Sequence, residues 1–183
     1  DPTIAIHEYG MTAVRGETAP FARQIIDHLP TNEQRSAREE FLGTSSPEER
    51  AEYVAAFEFI LGILSELNEA GILLLPGTDL GGSFAYHREL ELIEQVGMTP
   101  AEVLRRASYD MAVYLGQVED LGSIEKGKFA DFFLVPGDPT ESLDELRRIQ
   151  MVVADGVIYF PEEIYPWFGV RPFAAAPEVS PAF

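Results

Sequence analysis

The chain has no cysteine. That absence excludes disulfides, a thiolate nucleophile and thiolate metal ligands together. It leaves the compartment open, cytoplasmic or exported from a precursor. Positive charge is scarce: 13 lysines and arginines stand against 31 aspartates and glutamates, a formal net charge of -18 over 183 residues. Such a surface repels nucleic acid phosphates, and no basic stripe offsets it, so no nucleic acid partner is expected. No stretch of 18 or more apolar residues occurs, so no membrane partner is expected either. The opening DPTIAIHEYG has no basic leader and is not a signal peptide as it stands. Histidine is confined to His7, His28 and His87, widely separated. Three motifs are missing too. GTDLGG is neither GxGxxG nor followed by Gly-Lys-Ser/Thr, HEYGM is not HExxH, and Ser83 lies outside GxSxG.

Hydrophobic residues make up 46% of the chain, enough for one full core or parts of two. Ile4 to Ile6 reads as a short strand. Residues 21–29 suit one or two helical turns, with Phe21, Ile25 and Leu29 on one face. Residues 30–50 are polar, a lid-like helical insert or a solvated connection. Apolar residues recur at helical spacing over 51–69, from Tyr53 through Phe57 and Leu64 to Leu67. Ser46-Pro47 starts that helix and Gly71 stops it. A helix over 86–96 turns Leu90, Ile93 and Val96 inward. Thr99-Pro100-Ala101-Glu102 is a capping box for a helix reaching about Leu115, stopped by Gly116. The period then changes. Residues 129–135 read as a strand and 142–148 as a short helix. Residues 149–160 read as a hairpin around Asp155-Gly156, a favoured two-residue turn. The expected division is 1–116, with a helical insert at about 20–69, then 117–160, then a tail over 161–183. In the tail, Tyr165, Trp167 and Phe168 are expected to lie on the body.

The stretch ILLLPGTDLGG, 72–82, reads as a buried strand that delivers Asp79 to its C-terminal mouth. Barrel and open α/β enzymes place their chemistry at such strand ends. The plainer alternative is a turn aspartate, since Asp before a bend is common. Thr78 is a candidate for the site or a turn hydroxyl. Gly77, Gly81 and Gly82 suit close backbone approach.

Residues 70–160 resemble the end of a metal-dependent amidohydrolase of the imidazolonepropionase and prolidase-like group. The matching text runs AGILLLPGTDLGG, HRELELIEQVGMTPAEVLRRASYDMAVYLG, LGSIEKGKFADFFLVPGDP and IQMVVADGVIY. The resemblance implies an α/β fold: the C-terminal portion of a (β/α)₈ TIM barrel, about strands 7–8 and the closing helices, plus part of a small β-sandwich. It implies one or two divalent metal ions, zinc as the first expectation. Asp79 would be metal ligand and proton acceptor for the attacking water. The expected function is hydrolysis of carbon–nitrogen bonds, amide or cyclic amide, in a dipeptidase or prolidase-like way.

His87 matches a histidine common in that group, which implies a place on the substrate side or behind the ligands; capping and packing remain the plain reading. His7 would fall near a specificity loop. The family's His-x-His pair, its bridging residue and its later histidines have no match here. The remaining ligands are therefore expected outside this chain, in a missing N-terminal barrel segment or a complementary chain. A small-molecule or dipeptide substrate and a homo-oligomer are the further expectations. The alternative is a catalytically inactive structural or interaction module derived from such an enzyme.

Overall fold

The computed structural model describes residues 2–40, 42–44, 46–81 and 83–178. Gly82 and the tail residues 179–183 lie outside the described residues. The helices are α1 (Ile4–Thr12), α2 (Thr31–Ser36), α3 (Pro47–Glu69), α4 (Ser83–Gln95), α5 (Pro100–Arg105), α6 (Met111–Tyr114) and α7 (Pro161–Ile164). A π-helical turn, Arg106–Asp110, joins α5 to α6. Three short strands follow, β1 (Phe132–Leu134), β2 (Met151–Ala154) and β3 (Val157–Tyr159). They form one antiparallel sheet in the order β1-β2-β3.

Local signals account for most element ends. The Ser46 hydroxyl accepts the Glu49 N–H at 3.2 Å and Pro47 opens α3. Gly71, at φ 78, closes α3 as a Schellman motif: the Ile72 N–H donates to Leu67 O and the Gly71 N–H to Asn68 O. Gly116 closes α6 in the same way, through Gln117 to Ala112 and Gly116 to Val113. The capping box at Thr99 and Glu102 has both of its hydrogen bonds. Asp155 and Gly156, at φ 49 and 73, make the two-residue turn between Ala154 and Val157. Positive φ at both positions is what a type I′ hairpin requires.

The core lies between α1, α3 and α4. Ile4, Phe57, Leu64, Leu90, Leu92, Ile93, Val96 and Val103 are its buried apolar members, with Leu143 and Leu146 from a 3₁₀ turn (Leu143–Arg147). A smaller cluster gathers Ala22, Ile25 and Ala37 under Phe84 and Phe173.

The barrel expectation is overturned. The fold is mostly helical, with one small unclosed antiparallel sheet and no parallel strand among the described residues. Ile4–Ile6 is the first turn of α1, not a strand. Residues 72–75 join no ladder; Leu74 and Leu75 are buried, whereas Ile72 and Leu73 are exposed. A strand exists only where another strand answers its N–H and C=O groups. The apolar run supplies β propensity without that partner. Of the tail aromatics, Tyr165 packs on Phe84 and Phe173, while Trp167 and Phe168 are exposed.

Candidate functional site

Glu89 is a buried carboxylate held by two backbone amides. It sits on the apolar face of α4, beside Ala85, Leu92 and Ile93, and is fully buried. Its Oε1 accepts the Ile4 N–H at 3.1 Å and its Oε2 accepts the Ala5 N–H at 2.6 Å. These amides belong to the first turn of α1, where Thr3 gives no side-chain cap. A carboxylate there answers both the orphaned donors and the positive end of the helix dipole. Burial raises the pKa of Glu89, while the Ala5 and Ile4 amides and the charge of His7 pull it back.

A chain of charges lies beside it. Arg88 clamps Glu8 of α1, with Nη2 to Oε1 at 2.6 Å and Nε to Oε2 at 2.8 Å. Its Nη1 donates to Glu91 at 2.8 Å. Glu91 in turn pairs with the buried Arg147, whose Nη1 donates to Asp144 at 2.9 Å. Burial opposes the charge of Arg88, but its bonds to Glu8 and Glu91 outweigh this and raise its pKa. The fork geometry is the strong form of this pairing. Sequence reasoning missed both features. The available signal was an acid at position 89 flanked at helical spacing by apolar residues.

Asp79 is exposed in the loop between α3 and α4, at φ 51. Aspartate tolerates that left-handed conformation better than most residues. Thr78 shapes the turn: its hydroxyl donates to Leu80 O at 3.0 Å and accepts the Leu80 N–H at 3.1 Å. His7 directs Nδ1 at Thr3 O, 2.8 Å away. No hydrogen bond or ion pair among the described residues joins any two of Asp79, Thr78, His7 and His87. The expected divalent metal is overturned. Among the described residues, no group of three or more His, Cys, Asp or Glu could hold a metal ion. Zinc needs three or four converging ligands, and Asp79, the one ligand expected from this chain, has no such group around it among the described residues. The same finding overturns metal-dependent hydrolysis as this chain's own function.

His87 faces a different environment. It lines a cavity of about 700 Å³ walled by α4, the π turn, α6 and β1. Leu90, Leu104, Met111, Leu146 and Phe132 give it an apolar wall. The His87 Nδ1 is buried with no hydrogen-bond partner. Burial pushes its pKa down to about 4, the charge of Arg147 adding to the effect and that of Glu91 opposing it. One wall is the loop 121–124, which Lys128 organises by donating to Val118 O, Leu121 O and the Ser123 hydroxyl. Gly122 packs so tightly there that a Cβ would lie 2.7 Å from Ala112 Cβ and 3.0 Å from Tyr109 Cα.

Comparison with known proteins gives this arrangement relatives. The family model described as Amidohydrolase family matches residues 28–159. Imidazolonepropionase of Desulfotalea psychrophila is 32% identical over 74 residues, 39% of this chain and 18% of that protein. The solved structure of a Xaa-Pro dipeptidase with methionine bound in its active site aligns with TM-score 0.59 and 25% identity, over 87% of this chain and 34% of that one. A solved amidohydrolase aligns with TM-score 0.54 and 27% identity, over 74% of this chain and 32% of that one. The chain thus spans about a third or less of the length of these relatives. No described helix is long and apolar enough to cross a membrane.

Proposed function

The chain belongs to the amidohydrolase family, and from that premise we propose that it is a non-catalytic structural and interaction module of the family. The observation that carries this reading is the lack, among the described residues, of any group of side chains able to hold a metal ion. Exposed apolar residues support it. Phe59 and Ile63 on α3, Ile72 and Leu73 beyond it, and all three residues of β3 stand open to solvent. Both outer edges of the sheet lack a partner strand among the described residues. Surfaces of that kind mark an interface.

The module's partner is a complementary amidohydrolase segment, in the same polypeptide or another, of the imidazolonepropionase and prolidase-like kind. The helical part, 1–116, forms the scaffold, 117–160 the sheet unit and 161–183 the tail. Asp79 is the carboxylate that the module presents to its complement, with Thr78 shaping the turn. His7 holds the start of α1 through Thr3 O. A small-molecule or dipeptide substrate belongs to the assembly.

The test uses the purified chain. After incubation with zinc or manganese and desalting, elemental analysis should find metal well below one ion per chain. A Xaa-Pro dipeptide should not be hydrolysed. Sedimentation velocity should show self-association through the apolar surfaces. One tightly held ion per chain, with turnover lost in Asp79→Asn, would overturn the reading. So would a chain that stays monomeric at every concentration.

A further inference from the structure

We propose that the cavity between α4, the π turn, α6 and β1 is a binding site for an uncharged, largely apolar small molecule bearing one hydrogen-bonding group for the His87 imidazole. Its volume, about 700 Å³, falls within the usual range for small-molecule sites, roughly 300–1,000 Å³. The lining sets the chemistry. Neither lysine nor arginine contributes to it, so a carboxylate, sulfonate or phosphate would enter without neutralisation. Its acid, Asp131, already accepts the Asp155 N–H at 2.9 Å. The Ser108 hydroxyl is committed to Leu104 O at 2.7 Å, and that of Ser123 to Glu125 at 2.6 Å.

His87 differs from these committed groups. Its imidazole is neutral near pH 7 and its Nδ1 has no partner. A buried polar nitrogen without a partner calls for an explanation, and because Nδ1 itself is closed off, a rotation of the ring that turns it toward a cavity ligand supplies it. The π turn adds a second, independent observation. Such turns widen a helix locally and recur at functional sites, and here Ala107, Ser108, Met111 and Ala112 of this stretch face the cavity. The occupant that fits is therefore a flat or branched apolar body with one neutral polar group, rather than a metal ion or an anion.

The probe is 1-naphthol, with naphthalene and 1-naphthalenesulfonate as controls on the same ring system. Fluorescence titration of the full chain should show one saturable naphthol site. The sulfonate should bind at least about tenfold more weakly, since it loses its water without gaining a cation. His87→Phe keeps the apolar volume and removes the hydrogen bond. It should weaken naphthol by about five- to tenfold, the worth of one hydrogen bond, and leave naphthalene unchanged. Ala107→Trp should abolish binding of both by filling the cavity.

Should that variant fail to fold, proton NMR of the wild-type imidazoles decides. Naphthol must shift the His87 ring signals and leave those of His7 and His28 in place. Equal binding of the sulfonate would overturn the proposal. So would an unchanged naphthol affinity in His87→Phe, or dye uptake that tracks self-association instead of saturating.

Discussion

Glu89→Gln tests the main structural claim, that a carboxylate on α4 caps the N-terminus of α1 from a distance. Glutamine is nearly isosteric. Its carbonyl can still accept one of the two amides, from Ile4 or Ala5. Its NH₂ then faces the other amide, so one buried N–H has no acceptor. Leaving a buried donor unsatisfied costs about 1–3 kcal/mol. Losing the negative charge at a buried helix N-terminus adds up to about 2 kcal/mol. Part of this is offset, because burial raises the pKa of Glu89 and its charge is already costly to hold. A net loss of about 2 kcal/mol is expected. With a urea m-value of about 2 kcal/mol/M, the midpoint at pH 7 should fall by about 1 M. Amide exchange at Ile4 and Ala5 should accelerate more than in α3. Glu89→Ala, which orphans both amides and leaves a void, should cost about 4 kcal/mol. A Glu89→Gln midpoint equal to wild type, with unchanged exchange at Ile4 and Ala5, would refute remote capping.

Four further outcomes follow from the same geometry. His87 should titrate near 4 by NMR; because the unfolded imidazole takes up its proton near 6.5 while the native one does not, its contribution is full above that value and is lost as pH falls toward 4. The loss should total about 3 kcal/mol, depend on the flanking Arg147 and Glu91, and vanish in His87→Phe. Gly122→Ala should destabilise by about 2–3 kcal/mol, combining φ 86 with the collision at Ala112 and Tyr109, whereas Gly156→Ala, at φ 73 with open space around it, should show only the conformational cost of about 1 kcal/mol. Ser46→Ala should lower stability by about 1 kcal/mol through loss of the α3 cap, read from the thermal midpoint. Asp79→Asn should leave stability within about 0.5 kcal/mol, since the residue is exposed and asparagine shares its tolerance of positive φ.

What was legible in the sequence is what neighbouring residues decide among themselves. Ser46-Pro47, Thr99 to Glu102, Gly71, Gly116 and Asp155-Gly156 each fix a backbone conformation within five or six residues, and each stands where its chemistry says. The barrel was not of that kind. Residues 72–75 have the composition of a buried strand, yet strandhood depends on a partner that composition cannot supply. Family resemblance carried the architecture of longer relatives onto a chain that spans about a third of them or less. The amidohydrolase family stands, and the barrel carried over with it does not.

The same distinction explains the site. Asp79, Thr78, His7 and His87 are candidates from strand-end position and family resemblance, and among the described residues no hydrogen bond or ion pair joins any two of them. Thr78 closes a turn, His7 bonds Thr3, and His87 faces an apolar cavity. The groups that do converge, Glu8, Arg88, Glu91 and Arg147, look in sequence like ordinary surface charges. They become a network because α1, α4 and the 143–147 turn bring residues about eighty and fifty-six positions apart into contact. Burial then gives each charge a reason to keep its partner, since removing one leaves the other desolvated and alone. That network holds α1 and the 143–147 turn on α4.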